Sequence, residues 1–319
     1  MDYIPCNPNA SNQVRNVLDY LYSIKNKGII TGQHTQTVPQ EELKYIKEVT
    51  GKEPALCGFE LLSYSPNVNN NSNDEACIIE VENSKNTLQK VWEWAQKGGL
   101  ITLTWHWFSP IGGRDKSFYT CNTDFDCERA VIEGTVENKA LISDMDYMAG
   151  ILKEFCNKNI PILWRPFHEC DGTWFWWGAK GGKVAKRLYE IMFYRYNNIH
   201  KLNNLIWVWN SADKENYIGD DKCDAITLDT YLPAYTYGDY EDEYNKLKAL
   251  TNADKIMALG EIGPLLSLEK VREKNIPWAW YMMWSNDFAR TDKFTEKSEL
   301  IKLYQSDYAI TLDKLPKLY

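Results

Sequence analysis

The chain has 319 residues, 44% hydrophobic and 25% charged, enough for a core of normal size in one domain. Its net charge of -8 and pI near 5.2 argue against a nucleic-acid surface, which needs a basic face. No run of 18 apolar residues is present, so no membrane span is expected.

Short apolar or β-branched runs alternate with amphipathic stretches along the chain. An opening helix is expected over Asn12–Lys25, before a first strand at Ile29–Thr35. A helix over Pro39–Thr50 leads to a strand at Ala55–Leu61, and the Asn- and Ser-rich stretch Ser65–Glu75 reads as a loop. Asn83–Lys97 ends at Gly98-Gly99, a C-terminal stop, before a third strand at Leu100–Trp107. Ser143 with Asp146 gives a capping-box pattern for a helix over Tyr147–Lys158, which precedes a fourth strand at Ile160–Phe167. Lys183–Leu202 carries one apolar stripe and leads to strands at Leu205–Asn210 and Ala225–Tyr231. Helices over Glu241–Leu250 and Leu268–Lys274 precede the last strands, Ile256–Ile262 and Trp278–Trp284. Eight strands alternating with helices predict a single α/β domain over residues 1–319, a (β/α)8 barrel. No G-x-G-x-x-G follows the first strand, which removes the nucleotide-binding reason for an open doubly wound sheet.

Barrel chemistry sits at the C-terminal strand ends. Those ends carry His34, Glu60, His106 with Trp107, His168 with Glu169, Asn210, Tyr231, Glu261 and Trp284. The fourth strand delivers Arg165, His168 and Glu169 and is followed by Gly172 and Trp174-Phe175-Trp176-Trp177. A buried Arg–Glu pair that only fixes register is the plain alternative, but aromatics over a strand end favour a site. Glu261 lies between Gly260 and Gly263, where the missing Cβ atoms let a substrate come close. The plain alternative there is a turn with a helix-capping Glu. Two carboxylates on strands four and seven match glycosidic cleavage, with one as proton donor and one as nucleophile or water-directing base. Flat indoles suit the C–H faces of sugar rings, which singles out Trp174 and Trp284, then Trp107. Trp105, Trp164, Trp207 and Trp280 read as core, and His168 as a hydrogen-bond partner for the nucleophile.

The eight cysteines include no C-x-x-C pair, and His34, His106 and His168 form no close His-x-His pair, so no metal or cofactor is expected. Cys57 and Cys156 read as core thiols. Cys121 and Cys127 lie in a polar loop, and their spacing leaves open whether they pair. The start MDYIPCNPNASNQ has no basic region followed by an apolar run, so it does not read as a signal peptide.

These motifs resemble glycoside hydrolase family 26, best known for endo-β-1,4-mannanases. The matching stretches are Thr-Gly-Gln-His (31–34), Gly-Phe-Glu-Leu (58–61), Thr-Trp-His-Trp (104–107), Trp-Arg-Pro-Phe-His-Glu (164–169) with Gly-x-Trp-Phe-Trp-Trp-Gly (172–178), Trp-Val-Trp-Asn (207–210), Asp-x-Tyr (229–231), Gly-Glu-Ile-Gly-Pro (260–264) and Met-Trp-Ser-Asn (283–286). The resemblance implies a retaining mechanism with Glu169 as acid/base and Glu261 as nucleophile. It implies that His106, His168, Trp174, Tyr231 and Trp284 shape the sugar site beside the cleaved bond. Secretion and action on β-mannan or a related cell-wall polysaccharide follow from the same likeness, with a cytoplasmic location as the alternative left open by the lack of a signal-peptide pattern; a monomer is expected, and charge and hydropathy argue against nucleic-acid and membrane partners. Glu60 stands where an Asp is expected, and Ser285 where some mannanases place an Arg. Mixed-linkage β-glucan and β-1,3-xylan are alternative substrates within the family. A catalytically inactive carbohydrate-binding barrel is the alternative of another class, against which both retained glutamates speak; a metal-dependent barrel hydrolase is weaker still.

Overall fold

The computed structural model describes residues 3–36, 38, 40–68, 75–111 and 117–319. Eight parallel strands close into a barrel in chain order. They are β1 (Gly32–Thr35), β2 (Leu56–Glu60), β3 (Leu100–Thr104), β4 (Ile162–Arg165), β5 (Leu205–Asn210), β6 (Ala225–Thr230), β7 (Ile256–Ile262) and β8 (Tyr281–Met283). The ring closes where Gln33 of β1 pairs with Met283 of β8. Each strand falls inside an expected run; β5 and β7 match theirs and the others are trimmed. The run at Ile29–Thr35 divides: Ile29–Ile30 leaves the barrel and pairs with Ala309–Ile310 near the C-terminus.

Strand side chains alternate between two faces. Leu56, Leu100, Leu163, Ile206, Val208, Ala225, Ile256, Ala258 and Met282 form one buried cluster inside the barrel. Their neighbours Cys57, Ile101, Trp164, Trp207, Trp209, Ile226, Met257 and Leu259 pack outward in the helix layer. The helix Asn12–Ser23, capped by Ser11, buries Val14, Val17, Leu18 and Leu21 at helical spacing. All four belong to the interior cluster, so this helix plugs the end of the barrel where the strands begin.

Some helical expectations move. The helix expected at Tyr147 begins at Val136 and runs to Cys156, with Thr135 as its cap. Ser143 and Asp146 therefore lie inside it, and Asp146 bonds Arg195 and His200 instead of a helix end. The expected start at Pro39 and positions 69–74 of the Asn-rich loop lie outside the described residues. Helices at Glu75–Asn83, Cys127–Ala130, Asp287–Arg290 and Lys297–Gln305 were not read from the pattern. All eight cysteines are free; Cys121 is exposed while Cys127 is buried, so that pair does not form. Among the described residues no helix is long and apolar enough to cross a membrane.

Candidate active site

The inward phase set deep in the barrel, continued to the strand ends, brings His34, Glu60, Arg165, Asn210 and Asp229 to one mouth. Glu60, Arg165, Asn210 and Asp229 each lie an even number of residues beyond an inward-facing apolar neighbour on the same strand. Trp107 lies on the other phase, with Ile101, Leu103 and Trp105 in the helix-layer cluster. Its ring is 1% exposed, stacks on Trp105 at 4.1 Å, and donates its indole N–H to Asp144 at 2.9 Å. The expected sugar contact at Trp107 is thus corrected: the ring has no open face and braces the wall instead.

Glu261 is the exception to strict alternation. Ile256 and Ala258 face inward, so residue 260 would follow them and 261 would face the helices. Along β7 the register with β6 runs Ala258 to Thr227, Leu259 to Leu228, then Glu261 to Asp229. Gly260 is passed over, and this bulge shifts the phase by one, which turns Glu261 toward the mouth. A Cβ on Gly260 would meet Asp229 Oδ1 at 2.4 Å and Asn210 Nδ2 at 2.7 Å. One on Gly263 would meet Phe288 at 2.9 Å and Tyr231 at 3.2 Å. The glycines therefore make room for side chains that surround Glu261, rather than thinning the wall for substrate as expected. Gly260→Ala should lower unfolding stability by about 1–3 kcal/mol through overpacking, read from the denaturation midpoint; an unchanged midpoint would contradict that crowding.

Glu261 is buried and receives hydrogen bonds from Arg165 and from the Tyr231 hydroxyl at 2.5 Å. Burial holds its pKa above the ordinary value, with the Glu169 charge adding to the rise, against the pull of Arg165 and Tyr231. Arg165 also donates to Asp229 at 2.7 Å, and Asn210 donates to the other oxygen of Asp229 at 2.8 Å. Burial, with the Glu261 charge, pushes Asp229 up to about 7 although Arg165 opposes it. His168, expected to bond the nucleophile, turns elsewhere: its Nε2 lies 3.1 Å from His106 Nε2. Arg165 and Tyr231 hold Glu261 in its place.

Glu169 lies four residues past the end of β4, in a turn where its φ is 53° and that of Phe167 is 52°. It is half-buried, and burial followed by the Asp229 charge raises its pKa to about 7. The Trp174 indole donates to its Oε2 at 2.7 Å. Trp174 is half exposed, whereas Phe175, Trp176 and Trp177 turn inward. Trp176 donates to the Trp107 carbonyl at 2.6 Å and Trp177 to the His168 carbonyl at 2.8 Å, which fixes the turn beneath Glu169.

Glu60 pairs with His106, one oxygen on the backbone N–H at 2.8 Å and one on Nδ1 at 2.7 Å. Burial disfavours charge on His106, but Glu60 outweighs it and raises the pKa to about 9. His168 is held neutral, well below its ordinary value, by burial and then by the charge of His106. A charged His106 donates from Nε2, so His168 accepts on Nε2 and carries its own proton on Nδ1. Trp284 is half-buried and stacks on His34 at 4.1 Å and 25°. Ser285 is fully buried, so it offers nothing to a distant sugar.

One oxygen each from Glu169, Asp229 and Glu261 lie within 4.8 Å of one another. A cation could meet all three, but the Arg165 guanidinium already occupies that role by bonding two of them. The set does not suit a resident metal. Sequence reading had found Glu169, Glu261, His106, Trp174, Tyr231 and Trp284, which all gather here. Asn210 stands among the expected strand-end residues without a role, and Asp229 was missed, although its inward phase on β6 marked it.

A closed barrel with two opposed glutamates at its mouth, one proton-bearing near neutrality and one clamped by an arginine, defines a glycoside hydrolase site. The chain belongs to glycosyl hydrolase family 26, whose family model matches residues 6–314. A mannan endo-1,4-beta-mannosidase of Thermothelomyces thermophilus is 36% identical over 97% of this chain and 62% of its own length. Mannan endo-1,4-beta-mannosidase B of Piromyces sp. is 31% identical over 97% of this chain and 53% of its own length. The chain thus spans between about half and two thirds of these curated relatives. A solved beta-mannanase from a symbiotic protist of the termite Reticulitermes speratus, complexed with gluco-manno-oligosaccharide, superposes with a TM-score of 0.87 at 29% identity. It covers 98% of this chain and 97% of that one.

Proposed function

We propose that the chain is a retaining endo-β-1,4-mannanase that cuts internal bonds of mannan, glucomannan or galactomannan. Glu169 protonates the leaving oxygen and later activates water, and Glu261 attacks the anomeric carbon. The observation that carries this reading is the spacing of the two carboxyl groups, with an oxygen from each within 4.8 Å. Retaining enzymes hold the pair about 5–5.5 Å apart, whereas a water-admitting inverting pair needs about 6.5–9.5 Å. His106, Tyr231 and Trp284 border the sugar that is attacked, and Trp174 the leaving sugar beside Glu169. His168 contributes through His106. Mannan is favoured because the curated relatives and the protist enzyme carry that activity in their names. The protein is proposed to be secreted and monomeric.

One assay series tests substrate and stereochemistry together. Soluble galactomannan and glucomannan should be cut much faster than barley glucan or β-1,3-xylan. Proton NMR of the first product should show the β-anomer. Faster barley glucan cleavage would replace the substrate, no cleavage of any would favour a binding barrel, and an initial α-anomer would overturn retention.

A further inference from the structure

We infer that Asn210 is a positioning residue for proton transfer, fastening the backbone of Glu169 to the same frame that holds Glu261. The inference rests on the proposed acid/base role of Glu169. β4 ends at Arg165, so no strand ladder fixes Glu169 directly. Its backbone lies in the left-handed region, which L side chains rarely adopt and which persists only where surroundings enforce it.

The enforcing contact comes from the last residue of β5. Asn210, 2% exposed, accepts the Glu169 backbone N–H on Oδ1 at 2.7 Å. Its Nδ2 donates to Thr227 Oγ1 at 2.9 Å and to Asp229 Oδ1 at 2.8 Å. Both amide hydrogens are used, and a flipped carboxamide would set a donor against the Glu169 N–H, so the partners dictate its orientation. Asp229 continues the chain to Arg165, and Arg165 to Glu261. The acid/base group and the nucleophile are thereby joined through residues on β5, β6 and β4. The bulge glycine belongs to the same arrangement, since a Cβ at Gly260 would strike both Asn210 and Asp229. A side chain that only stabilised the barrel would not need to reach the one backbone N–H that sets the height of Glu169.

The test compares a substrate whose leaving group needs a proton with one whose leaving group does not. Asn210→Ala should lower kcat/KM on glucomannan roughly 10–100-fold, the scale of a misplaced catalytic group, while kcat/KM on 2,4-dinitrophenyl β-mannobioside stays within about threefold. Azide should then raise kcat on the aryl substrate, because deglycosylation also depends on Glu169. Equal losses on both substrates would overturn the inference and leave a structural role. Glu169→Ala, run alongside, should show the same split more steeply. If it shows none, the acid/base assignment fails, an outcome distinct from a split in Glu169→Ala that Asn210→Ala lacks. If Asn210→Ala does not fold, Asn210→Ser carries the test alone. Its hydroxyl leaves a polar group beside Thr227 and Asp229 but stops one bond short of the Glu169 N–H, and it is expected to give the same split; equal losses would again count against the inference.

Discussion

Glu261→Ala should lower turnover of mannan roughly 10⁴-fold or more, as expected when a covalent nucleophile is removed. The buried position of Glu261 leaves no other carboxylate at that point. Asp229, its neighbour across the β6–β7 register, has its oxygens bonded to Arg165 and Asn210. The variant should still fold, because Arg165 keeps Asp229 as a partner. The space left by the carboxylate admits a small anion beside Arg165 and the Tyr231 hydroxyl. Azide with an activated aryl mannoside should therefore give the α-glycosyl azide. A β-azide product would mean that attack still comes through an enzyme-bound intermediate, and the assignment of Glu261 would be lost.

Removing Glu169 as Ala should lower kcat/KM on polysaccharide about 10²–10⁴-fold, the usual contribution of a positioned general acid. The pH profile says more than the rate. Glu169 is pushed up to about 7, and its protonated form starts the reaction, so activity in the parent should fall as pH rises through about 7. The opposite limb requires ionised Glu261, whose pKa is raised by burial, so that limb should lie above the ordinary Glu value of about 4.3. His106, raised to about 9, stays charged between these limbs and sets neither. Asp229 is also pushed to about 7 and is the rival for the alkaline limb. In Glu169→Ala, with an activated substrate, that limb should vanish from kcat/KM. If it persists at its original position, Asp229 or the coupled pair sets it.

The barrel was legible because each strand is an apolar run bounded by turn residues, and parallel strands covered on both faces must read that way. The two glutamates were legible because charge at the end of such runs has few structural reasons to exist. The partners of Glu261 were harder to see. His168 precedes Glu169 in sequence, and adjacency suggested a shared task, yet neighbouring residues at a strand end point in different directions. Trp107 was misplaced for the opposite reason: its own alternation with Leu103 and Trp105 marked it as outward, but its place beside His106 drew it toward the cleft. Phe175, Trp176 and Trp177 followed Trp174 as one aromatic run, and only Trp174 stays half exposed because the turn uses the others as its floor. The long helix at Val136 was masked by a Ser143–Asp146 pattern that mimics a start. The true cap, Thr135, accepts from Asn138 and lacks the acidic partner of a capping box.

The bulge at Gly260 gives β7 a property that no side chain on it possesses. Up to that point the strand keeps the parity of its neighbours; beyond it, odd and even exchange places. Whether Glu261 serves the cleft is therefore a matter of counting. Exchanging a side chain leaves the count intact, and loss of one residue between Ala258 and Glu261 would restore an unbroken ladder with the carboxylate still opposite Asp229 on the inner face; keeping Gly260 but drawing it into the ladder is what would aim Glu261 into the helix layer. Such a barrel could still close, with every strand in place and its chemistry facing the wrong way. In this strand the extra residue and the bulge that absorbs it have meaning only together.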